Sequence, residues 1–272
     1  MDSTKIYAVT GAASGIGRAT AQLLSRTARV FAIDVDEKGL AALAQTSPQI
    51  VPVPADLTSA PSVEEAGKRI AAQTPGLDGL VNCAGINRFG AMVDLPDDEF
   101  RAVMDVNVTG TYRATRALFP LLKARLGRIV IISSEVSTIS APFNGVYSMS
   151  KYALEAYSDA LRRELSLIGM KVAIIQPGAV RTALLQNMLP GFDRALAVSQ
   201  FPQGMKVIRD MSAKEWEKGL EPHAVAEVVE RALTDANPAL RYKVGNDPGR
   251  AAAKLLPARW LDAAMKLMMQ RG

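Results

Sequence analysis

The chain has 272 residues and a formal net charge of +5, and 49% of its residues are hydrophobic while 22% are charged. This balance is typical of a soluble globular protein, and the length suits one large α/β domain better than two small ones. We find no apolar run near the about 20 residues of a membrane-spanning helix, no signal-peptide pattern, no block of basic residues and no zinc-finger spacing. A single cysteine, Cys83, rules out an intrachain disulfide. We therefore expect a cytoplasmic protein that does not bind nucleic acid.

Short apolar runs alternate with helical patterns along the chain. The runs are apolar throughout, which is typical of strands buried on both faces of a parallel sheet. The alternation predicts an α/β fold, a doubly wound parallel sheet with helices on both sides. Strands are predicted at 5–11, 29–34, 49–56, 77–85, 127–134 and 170–178, and the clearest helices at 15–26, 37–46 and 147–165. We expect one domain over residues 1–272.

The stretch "TGAASGIG" (10–17) lies directly between the first strand and the first helix. Gly11 can take the tight turn, Gly15 lets backbone approach a pyrophosphate, and Gly17 allows close helix–strand contact. Backbone N–H groups at the start of a helix suit an anion. The spacing is G-x-x-x-G-x-G rather than G-x-G-x-x-G, but the position is the one that a dinucleotide site requires. Ser14 and Ile16 of the same loop join the candidate cofactor contacts.

Two aspartates end the second and third strands. Asp34 can accept hydrogen bonds from an adenosine ribose 2′-OH and would repel a 2′-phosphate. Val35 follows it, and the glycine-rich loop contains no basic residue, so we predict NAD in preference to NADP. The alternative is that Asp34 caps the helix that starts near Asp36. Asp56, followed by Leu57, is a candidate adenine-side contact, with a loop cap as the alternative.

The stretch "YSMSK" (147–151) places a tyrosine and a lysine four residues apart on a predicted helix. Residues i and i+4 share a helix face, so Tyr147 and Lys151 can point together into the crevice at the carboxyl ends of the strands. A nearby ammonium and a positive nicotinamide ring would lower the pKa of the tyrosine toward neutrality. The alternative is that the pair only packs and contacts solvent.

The ordered set of motifs resembles the short-chain dehydrogenase/reductase family. It comprises "TGAASGIG" (10–17), "NCAG" (82–85), Asn107, Ser134, "YSMSK" (147–151) and "PGAVRT" (177–182), and it runs from about residue 5 to about residue 185. The resemblance implies a Rossmann-type seven-stranded sheet, a nicotinamide cofactor and an Asn-Ser-Tyr-Lys active site. One departure is Cys83, where a second asparagine is commoner, and we expect activity to survive it.

The resemblance also implies a role for each matching residue. Tyr147 would be the general acid/base and Lys151 its partner. Ser134 would hold the substrate oxygen, although neighbouring serines leave a misassignment open. Asn107 would position a water-mediated proton path through Lys151. The remaining cofactor contacts implied by the family are Asn82, Ala84, Gly85, Tyr147, Lys151, Pro177, Gly178, Val180 and Thr182.

Residues 183–220 break the strand–helix rhythm and are rich in Met, Leu, Phe and Pro. Such an insertion predicts a helical substrate lid, and the alternative is a helical excursion packed on the domain. An apolar, Met-rich lid suits a bulky lipophilic substrate. The segments 142–165 and 240–265 resemble the hydroxysteroid/retinol dehydrogenase branch. The candidate substrate contacts are Ser134, Phe143, Tyr147, Leu184, Leu185 and Met188.

These features predict an oxidoreductase that transfers hydride between NAD(H) and a lipophilic, steroid-like or retinoid-like secondary alcohol/ketone pair. One alternative is a 3-oxoacyl thioester reductase or another carbonyl reductase, and such an enzyme would normally prefer NADPH. A second is an NAD-binding regulatory protein, a class that usually lacks the Ser-Tyr-Lys set. We expect no metal site and a homodimer or homotetramer. For the C-terminal extension (248–272), packing on the domain is favoured over contact with a membrane.

Overall fold

The computed structural model describes residues 4–182, 184 and 188–270. Its seven strands form one sheet in which every neighbouring pair is parallel, in the order β3-β2-β1-β4-β5-β6-β7. The doubly wound seven-stranded sheet expected from the sequence is confirmed. The strands are β1 Lys5–Thr10, β2 Ala28–Asp34, β3 Ile50–Pro54, β4 Gly79–Asn82, β5 Arg128–Ile132, β6 Val172–Pro177 and β7 Arg241–Val244.

The helices connect the strands and cover both faces of the sheet. Asp105–Thr109 is a π-helical turn between α4 and α5, a feature that is frequent at functional sites, and Glu135–Ser137 is a 3₁₀ turn. The helices are α1 Gly15–Leu24, α2 Glu37–Ala44, α3 Ala60–Ala71, α4 Asp97–Met104, α5 Gly110–Arg125, α6 Gly145–Ser166, α7 Met188–Leu196, α8 Pro202–Glu217, α9 Pro222–Thr234, α10 Pro248–Ala253 and α11 Ala258–Gln270.

Two apolar layers flank the sheet, one on each face. Neighbouring residues of a strand point to opposite faces, so Ala8 and Val9 of β1 belong to different layers. One layer joins the sheet to α1, α2 and α9, and the other joins it to α3, α5 and α6. Both faces are therefore dry, which explains why the strands are apolar throughout rather than alternating.

The strand order reverses at β1, which lies between β2 and β4. Open α/β sheets bind ligands in the crevice outside the carboxyl ends of the strands at such a point. Three loops leave the sheet at this edge, after β1, β4 and β5. The glycine-rich loop, the "NCAG" loop and the Ser134 loop are thereby brought together.

Residues 188–217 form α7 and α8, which pack on each other and on the loop after β4. A third apolar cluster contains Phe89, Met188, Phe192, Met205 and Ile208, all buried. The described part of the 183–220 insertion is therefore a helical excursion with its own small core. α11 packs against α8. Among the residues that the structure describes, no helix has both the length and the hydropathy to cross a bilayer.

Candidate active site

A cavity of about 830 Å³ occupies the carboxyl edge of the sheet. Its wall starts at the glycine-rich loop, passes Ser134, Tyr147 and Lys151, and continues to α7, α8 and α11. Most of the predicted cofactor residues, together with Ser134, Tyr147 and Lys151, thus face one continuous space. The cavity can therefore bind a dinucleotide and a small molecule side by side.

The glycine-rich loop has the backbone that its sequence predicts. Gly11 and Gly15 have positive φ angles of 67° and 52°, a region that favours glycine. A Cβ at Gly17 would lie 2.1 Å from the carbonyl oxygen of Gly11, and a Cβ at Gly11 would lie 2.7 Å from the Cα of Ala84. Together with Ser14 and Ile16, the three glycines line the cavity. This bare backbone at the start of α1 fits a pyrophosphate.

We expect Gly17→Ala to weaken NADH binding by roughly 10-fold or more, because the new Cβ forces apart two backbone segments at a cost of about 1–3 kcal/mol. The NADH dissociation constant, measured by the fluorescence of bound NADH, checks this. Gly67→Ala on α3 is the matched control, since its Cβ would meet Ala117 oxygen at 3.4 Å, an ordinary contact. Equal dissociation constants for the two variants would contradict the prediction.

Asp34 lines the cavity and also orders the loop beside it. Its Oδ2 accepts from the Ala13 N–H at 2.9 Å, and its Oδ1 accepts from the Asp36 N–H at 3.0 Å. The N-cap of α2 is Asp36, whose Oδ1 accepts from the Gly39 N–H at 3.0 Å. The alternative that Asp34 caps this helix is therefore wrong, and its carboxylate stands at the end of β2 facing the cavity.

Asp56 lies on the cavity wall and also stabilises a loop through its side chain. It lines the cavity beside the buried Leu57. Its Oδ1 also accepts from the Thr58 N–H at 2.8 Å and from the Thr58 hydroxyl at 2.7 Å, so it stabilises the loop after β3 as well.

The residues of the "NCAG" segment have two different positions, one buried in the sheet and the others on the cavity wall. Asn82 is buried in β4, where its Nδ2 donates to Thr115 Oγ1 at 3.0 Å, and it does not line the cavity. The structure therefore shows Asn82 as a tie between β4 and α5, and its role as a cofactor contact stays a prediction. Ala84 and Gly85 do line the cavity. Burial raises the pKa of the Cys83 thiol to about 12, so it is protonated at neutral pH and is no nucleophile.

The "PGAVRT" loop follows β6 and supplies Pro177, Gly178, Val180 and Thr182 to the wall. Two backbone hydrogen bonds tie it to the chain that leaves α8. Leu220 N–H donates to Ala179 oxygen at 2.9 Å, and Arg181 N–H donates to Leu220 oxygen at 2.8 Å. The loop on the predicted nicotinamide side is thus fixed to the segment that follows α8.

Ser134, Tyr147 and Lys151 come together on the cavity wall. Ser134 lies just beyond β5, and Tyr147 and Lys151 lie one turn apart at the start of α6. The hydroxyls of Tyr147 and Ser134 are hydrogen-bonded. Lys151 Nζ lies 5.3 Å from the centre of the Tyr147 ring and donates to Ile132 oxygen at 2.9 Å.

The neighbouring serines have other partners. Ser133 Oγ is 3.5 Å from Lys151 oxygen. The single hydroxyl hydrogen of Ser137 is shared between two acceptors, Ser134 oxygen at 2.7 Å and Glu155 Oε1 at 3.0 Å. Ser134 is thus the serine whose hydroxyl contacts Tyr147. This geometry favours Ser134 as the residue that holds a substrate oxygen.

The pKa values in this cluster are governed by burial. Burial raises the pKa of Tyr147 to about 12, although the hydrogen bond from Ser134 opposes the rise. Burial also lowers the pKa of Lys151 to about 8, and the carboxylate charge of Glu155 opposes this shift. The protein groups alone therefore do not bring the tyrosine pKa toward neutrality, and the lowering expected with a positive nicotinamide ring beside it stays a prediction. Lys151, not Tyr147, is the group that titrates close to neutral pH.

The depressed pKa of Lys151 has a consequence for stability. The folded value is about 8 and the unfolded value 10.5, so the unfolded chain binds more protons between these pH values. The cost of the buried ammonium is therefore full below about pH 8 and is relieved as pH rises. We expect the melting temperature of Lys151→Met minus that of the wild type to fall between about pH 7 and about pH 9.5. A difference that stays constant or grows with pH would show that burial does not depress this pKa.

Asn107 lies directly behind the cavity, in the π-helical turn Asp105–Thr109. Its Oδ1 accepts from the Ile86 N–H at 2.8 Å, and its Nδ2 donates to Ile86 oxygen at 3.0 Å and to Ser150 Oγ at 2.9 Å. The fully buried amide thus joins the loop after β4 to the helix that carries Tyr147. Its part in a proton path stays a prediction.

The substrate contacts predicted on the lid side fall into three groups. Leu184 and Met188 line the cavity, and Leu185 lies outside the described residues. Phe143 is not among the residues that line the cavity, and its role as a substrate contact stays a prediction. Its φ of 61° is unusual for a bulky residue, and its ring packs on the third cluster, 6.5 Å from the ring of Phe201. The apolar side chains that complete this part of the wall include Phe89, Val136, Ile139, Phe192, Met211, Met265 and Met268.

Sequence reasoning missed a buried ionic cluster behind Ser134. Glu135, only 6% exposed, accepts from the Asp247 N–H at 2.9 Å and pairs with the Arg250 guanidinium. Arg250 Nη2 also donates to both carboxylate oxygens of Glu215, at 2.6 and 2.7 Å. The one local signal was an acidic residue immediately after a buried apolar strand. Its partners lie far along the chain, in α8 and α10, which only the fold reveals.

The glycine cradle at the strand-order switch, joined to a hydrogen-bonded Ser–Tyr pair beside a lysine, defines an oxidoreductase of the nicotinamide-dependent Rossmann class. The sequence model of the short chain dehydrogenase family matches residues 5–191 of this chain. The chain therefore belongs to the short-chain dehydrogenase family, whose named relatives are dehydrogenases and reductases, and it acts on CH–OH groups.

The relatives support this membership over most of the chain. Human retinol dehydrogenase 16 is 38% identical over 267 residues, which cover 93% of this chain and 82% of the relative. Human 17-beta-hydroxysteroid dehydrogenase type 6 is 33% identical, with 89% and 81% covered. A 3-ketodihydrosphingosine reductase of Bacteroides thetaiotaomicron is 32% identical, with 89% and 88% covered. The solved structure of a short-chain dehydrogenase from Streptomyces avermitilis superimposes with a TM-score of 0.77 at 26% identity, covering 99% of this chain and 96% of that one.

Proposed function

We propose that this chain interconverts a lipophilic secondary alcohol and its ketone with NAD(H). The observation that carries the proposal is the position of the hydrogen-bonded Ser134–Tyr147 pair. It stands where the glycine-lined part of the cavity meets the apolar part formed by α7, α8 and α11. One side of the pair fits a dinucleotide, and the other fits an apolar molecule.

The residues of the cradle fit a nicotinamide dinucleotide. The Gly11–Gly17 loop would hold the pyrophosphate, Asp34 the adenosine ribose, and the Pro177–Thr182 loop the nicotinamide end. The cofactor supplies hydride acceptor or donor chemistry when it is bound. Asp34 favours NAD over NADP, because its carboxylate faces the cavity and would repel a 2′-phosphate.

The protein groups then handle the proton. In the oxidation, Ser134 would hold the substrate oxygen, and Tyr147, as its phenolate, would accept the hydroxyl proton while hydride passes from the same carbon to the bound cofactor. Because burial raises the pKa of Tyr147 to about 12, this role requires a positive charge beside the ring that lowers the pKa. In the reduction, Tyr147 returns the proton to the oxygen. With a pKa of about 8, Lys151 can exchange a proton at neutral pH, and the nearby ammonium stabilises the phenolate.

The apolar wall supports a lipophilic substrate. Several of its side chains are methionines, which adapt to irregular apolar molecules, and charged groups are few on that side. The names of the relatives, retinol dehydrogenase 16 and 17-beta-hydroxysteroid dehydrogenase type 6, point in the same direction. The lid role of residues 183–220, the cytoplasmic location and the homodimer or homotetramer stay predictions.

A substrate panel tests the proposal. Purified protein is assayed with hydroxysteroids, retinol, hydroxy fatty acids and short alcohols, each with NAD⁺ and with NADP⁺, by the absorbance of the reduced nicotinamide. We expect turnover of the lipophilic members and a higher kcat/KM with NAD⁺. A preference for NADPH and 3-oxoacyl thioesters would favour the reductase alternative. Cofactor binding without any turnover would favour a regulatory protein.

A further inference from the structure

Trp216 holds a fixed place in the wall of the proposed substrate site. It lies in the last turn of α8 and lines the cavity. Arg250 Nη2 donates to both carboxylate oxygens of the neighbouring residue Glu215. Arg250 also pairs with Glu135, which is next to Ser134 in the chain. Just beyond it, Leu220 is tied by backbone hydrogen bonds to the Pro177–Thr182 loop. The tryptophan is therefore anchored to both the catalytic loop and the cofactor loop.

The indole N–H of Trp216 has no acceptor. Nε1 is buried, and none of the described residues accepts its hydrogen bond. The ring itself packs on the apolar cluster of Phe89, Met188 and Phe192, so hydrophobic contact explains the ring but not the nitrogen. A buried donor without a partner costs folding free energy, and most such groups in proteins are paired. A phenylalanine would pack there without this cost.

Two other unpartnered polar atoms line the same cavity, Asn87 Oδ1 and Asn144 Oδ1. An amide can present either its oxygen or its NH₂ after rotation, so these residues place no fixed demand on a ligand. An indole is a donor only. Trp216 is therefore the residue that specifies what its partner must be, namely a hydrogen-bond acceptor.

We propose that Trp216 determines substrate specificity by donating to a second oxygen of the substrate, apart from the alcohol or ketone that reacts at Tyr147. This rests on the proposed function and narrows its substrate class. A steroid with oxygens at two positions supplies that acceptor, whereas retinol has its hydroxyl as its single oxygen. Nε1 is buried rather than open to the cavity, so an acceptor reaches it only when a neighbouring side chain moves. The methionines at 211, 265 and 268 make this part of the wall adaptable, because their side chains are flexible.

The test compares two substrates that differ by one oxygen. Androsterone has a hydroxyl at one end and a ketone at the other, and its counterpart with CH₂ in place of that ketone keeps the hydroxyl alone. We expect Trp216→Phe to lower kcat/KM for androsterone by roughly 10-fold to 100-fold, because a site built for a hydrogen bond discriminates strongly. The single-oxygen steroid and retinol should change by less than about 3-fold.

Trp260→Phe is the matched control, since Trp260 is 70% exposed on α11 and should leave both values unchanged. The chain has two tryptophans, so this variant also leaves Trp216 as the single indole fluorophore. Its emission should shift when androsterone binds with NADH and shift less with the single-oxygen steroid. Equal losses for both substrates in Trp216→Phe, or equal emission shifts, would overturn the inference. Failure of the wild type to turn over any lipophilic alcohol would instead refute the proposed function, and the emission experiment would still decide on Trp216.

Discussion

Replacing Tyr147 by phenylalanine should lower kcat by about 100-fold to 10,000-fold, the range expected for loss of a general acid/base. The ring and its packing beside Lys151 are kept, and only the hydroxyl that contacts Ser134 is removed. The glycine cradle is untouched, so the NADH dissociation constant should stay within about 3-fold of the wild type. Steady-state turnover of the best substrate of the panel, together with an NADH titration, measures both quantities.

Tyr152→Phe provides the control for this experiment. Tyr152 follows Lys151 on the same helix, but it is 43% exposed and does not line the cavity. It should have wild-type kcat and wild-type NADH binding. Retained turnover in Tyr147→Phe would refute the proton-transfer role assigned to this hydroxyl. Loss of NADH binding in that variant would instead show that Tyr147 mainly supports the cofactor site.

Replacing Arg250 by methionine should destabilise the fold by about 3 kcal/mol, because it leaves the buried carboxylate of Glu135 without its cation. In a chain of this length, that loss lowers the melting temperature by roughly 6–12 °C. The same change releases Glu215, so α8 loses its tie to the catalytic loop. Thermal unfolding followed by circular dichroism gives the first effect, and KM for the lipophilic substrate gives the second.

Arg259→Met is the control, since Arg259 is exposed at the start of α11. Its melting temperature should remain within about 2 °C of the wild type. The double variant Glu135→Gln/Arg250→Met should recover part of the stability, because a neutral amide at position 135 needs no cation. A double variant that is less stable than Arg250→Met alone would mean that Glu135 is not the group left unpaired.

The sheet and the cofactor cradle could be predicted from the sequence because their causes are local. Five of the strands, β1, β2, β4, β5 and β6, are buried on both faces, so each reads as a continuous apolar run between turns. Gly11 and Gly17 have to be glycines because other backbone atoms lie where a Cβ would be. The position of their loop directly after β1 can be read from the sequence. Tyr147 and Lys151 share a helix face by spacing alone.

The remaining features depend on contacts between distant segments. β7 (Arg241–Val244) is half exposed at the edge of the sheet and has no apolar run to mark it. The direction of the Tyr147 pKa shift depends on how deeply the fold buries the hydroxyl. Asn82 turned away from the cavity because Thr115, on another helix, offers it a partner. Phe143 turned away because its backbone adopts a left-handed conformation that no local motif announces.

The ion pair between Glu135 and Arg250 can form only after the chain has been synthesised as far as Arg250. A nascent chain that ends before β7 leaves β6 as an open sheet edge, with the backbone groups of Val172–Pro177 free to pair with another chain. It also leaves the carboxylate of Glu135 without its guanidinium. A chain that lacks β7 and Arg250 therefore exposes a strand edge that can pair with another chain, and its catalytic loop lacks the contact of Glu135 with Arg250.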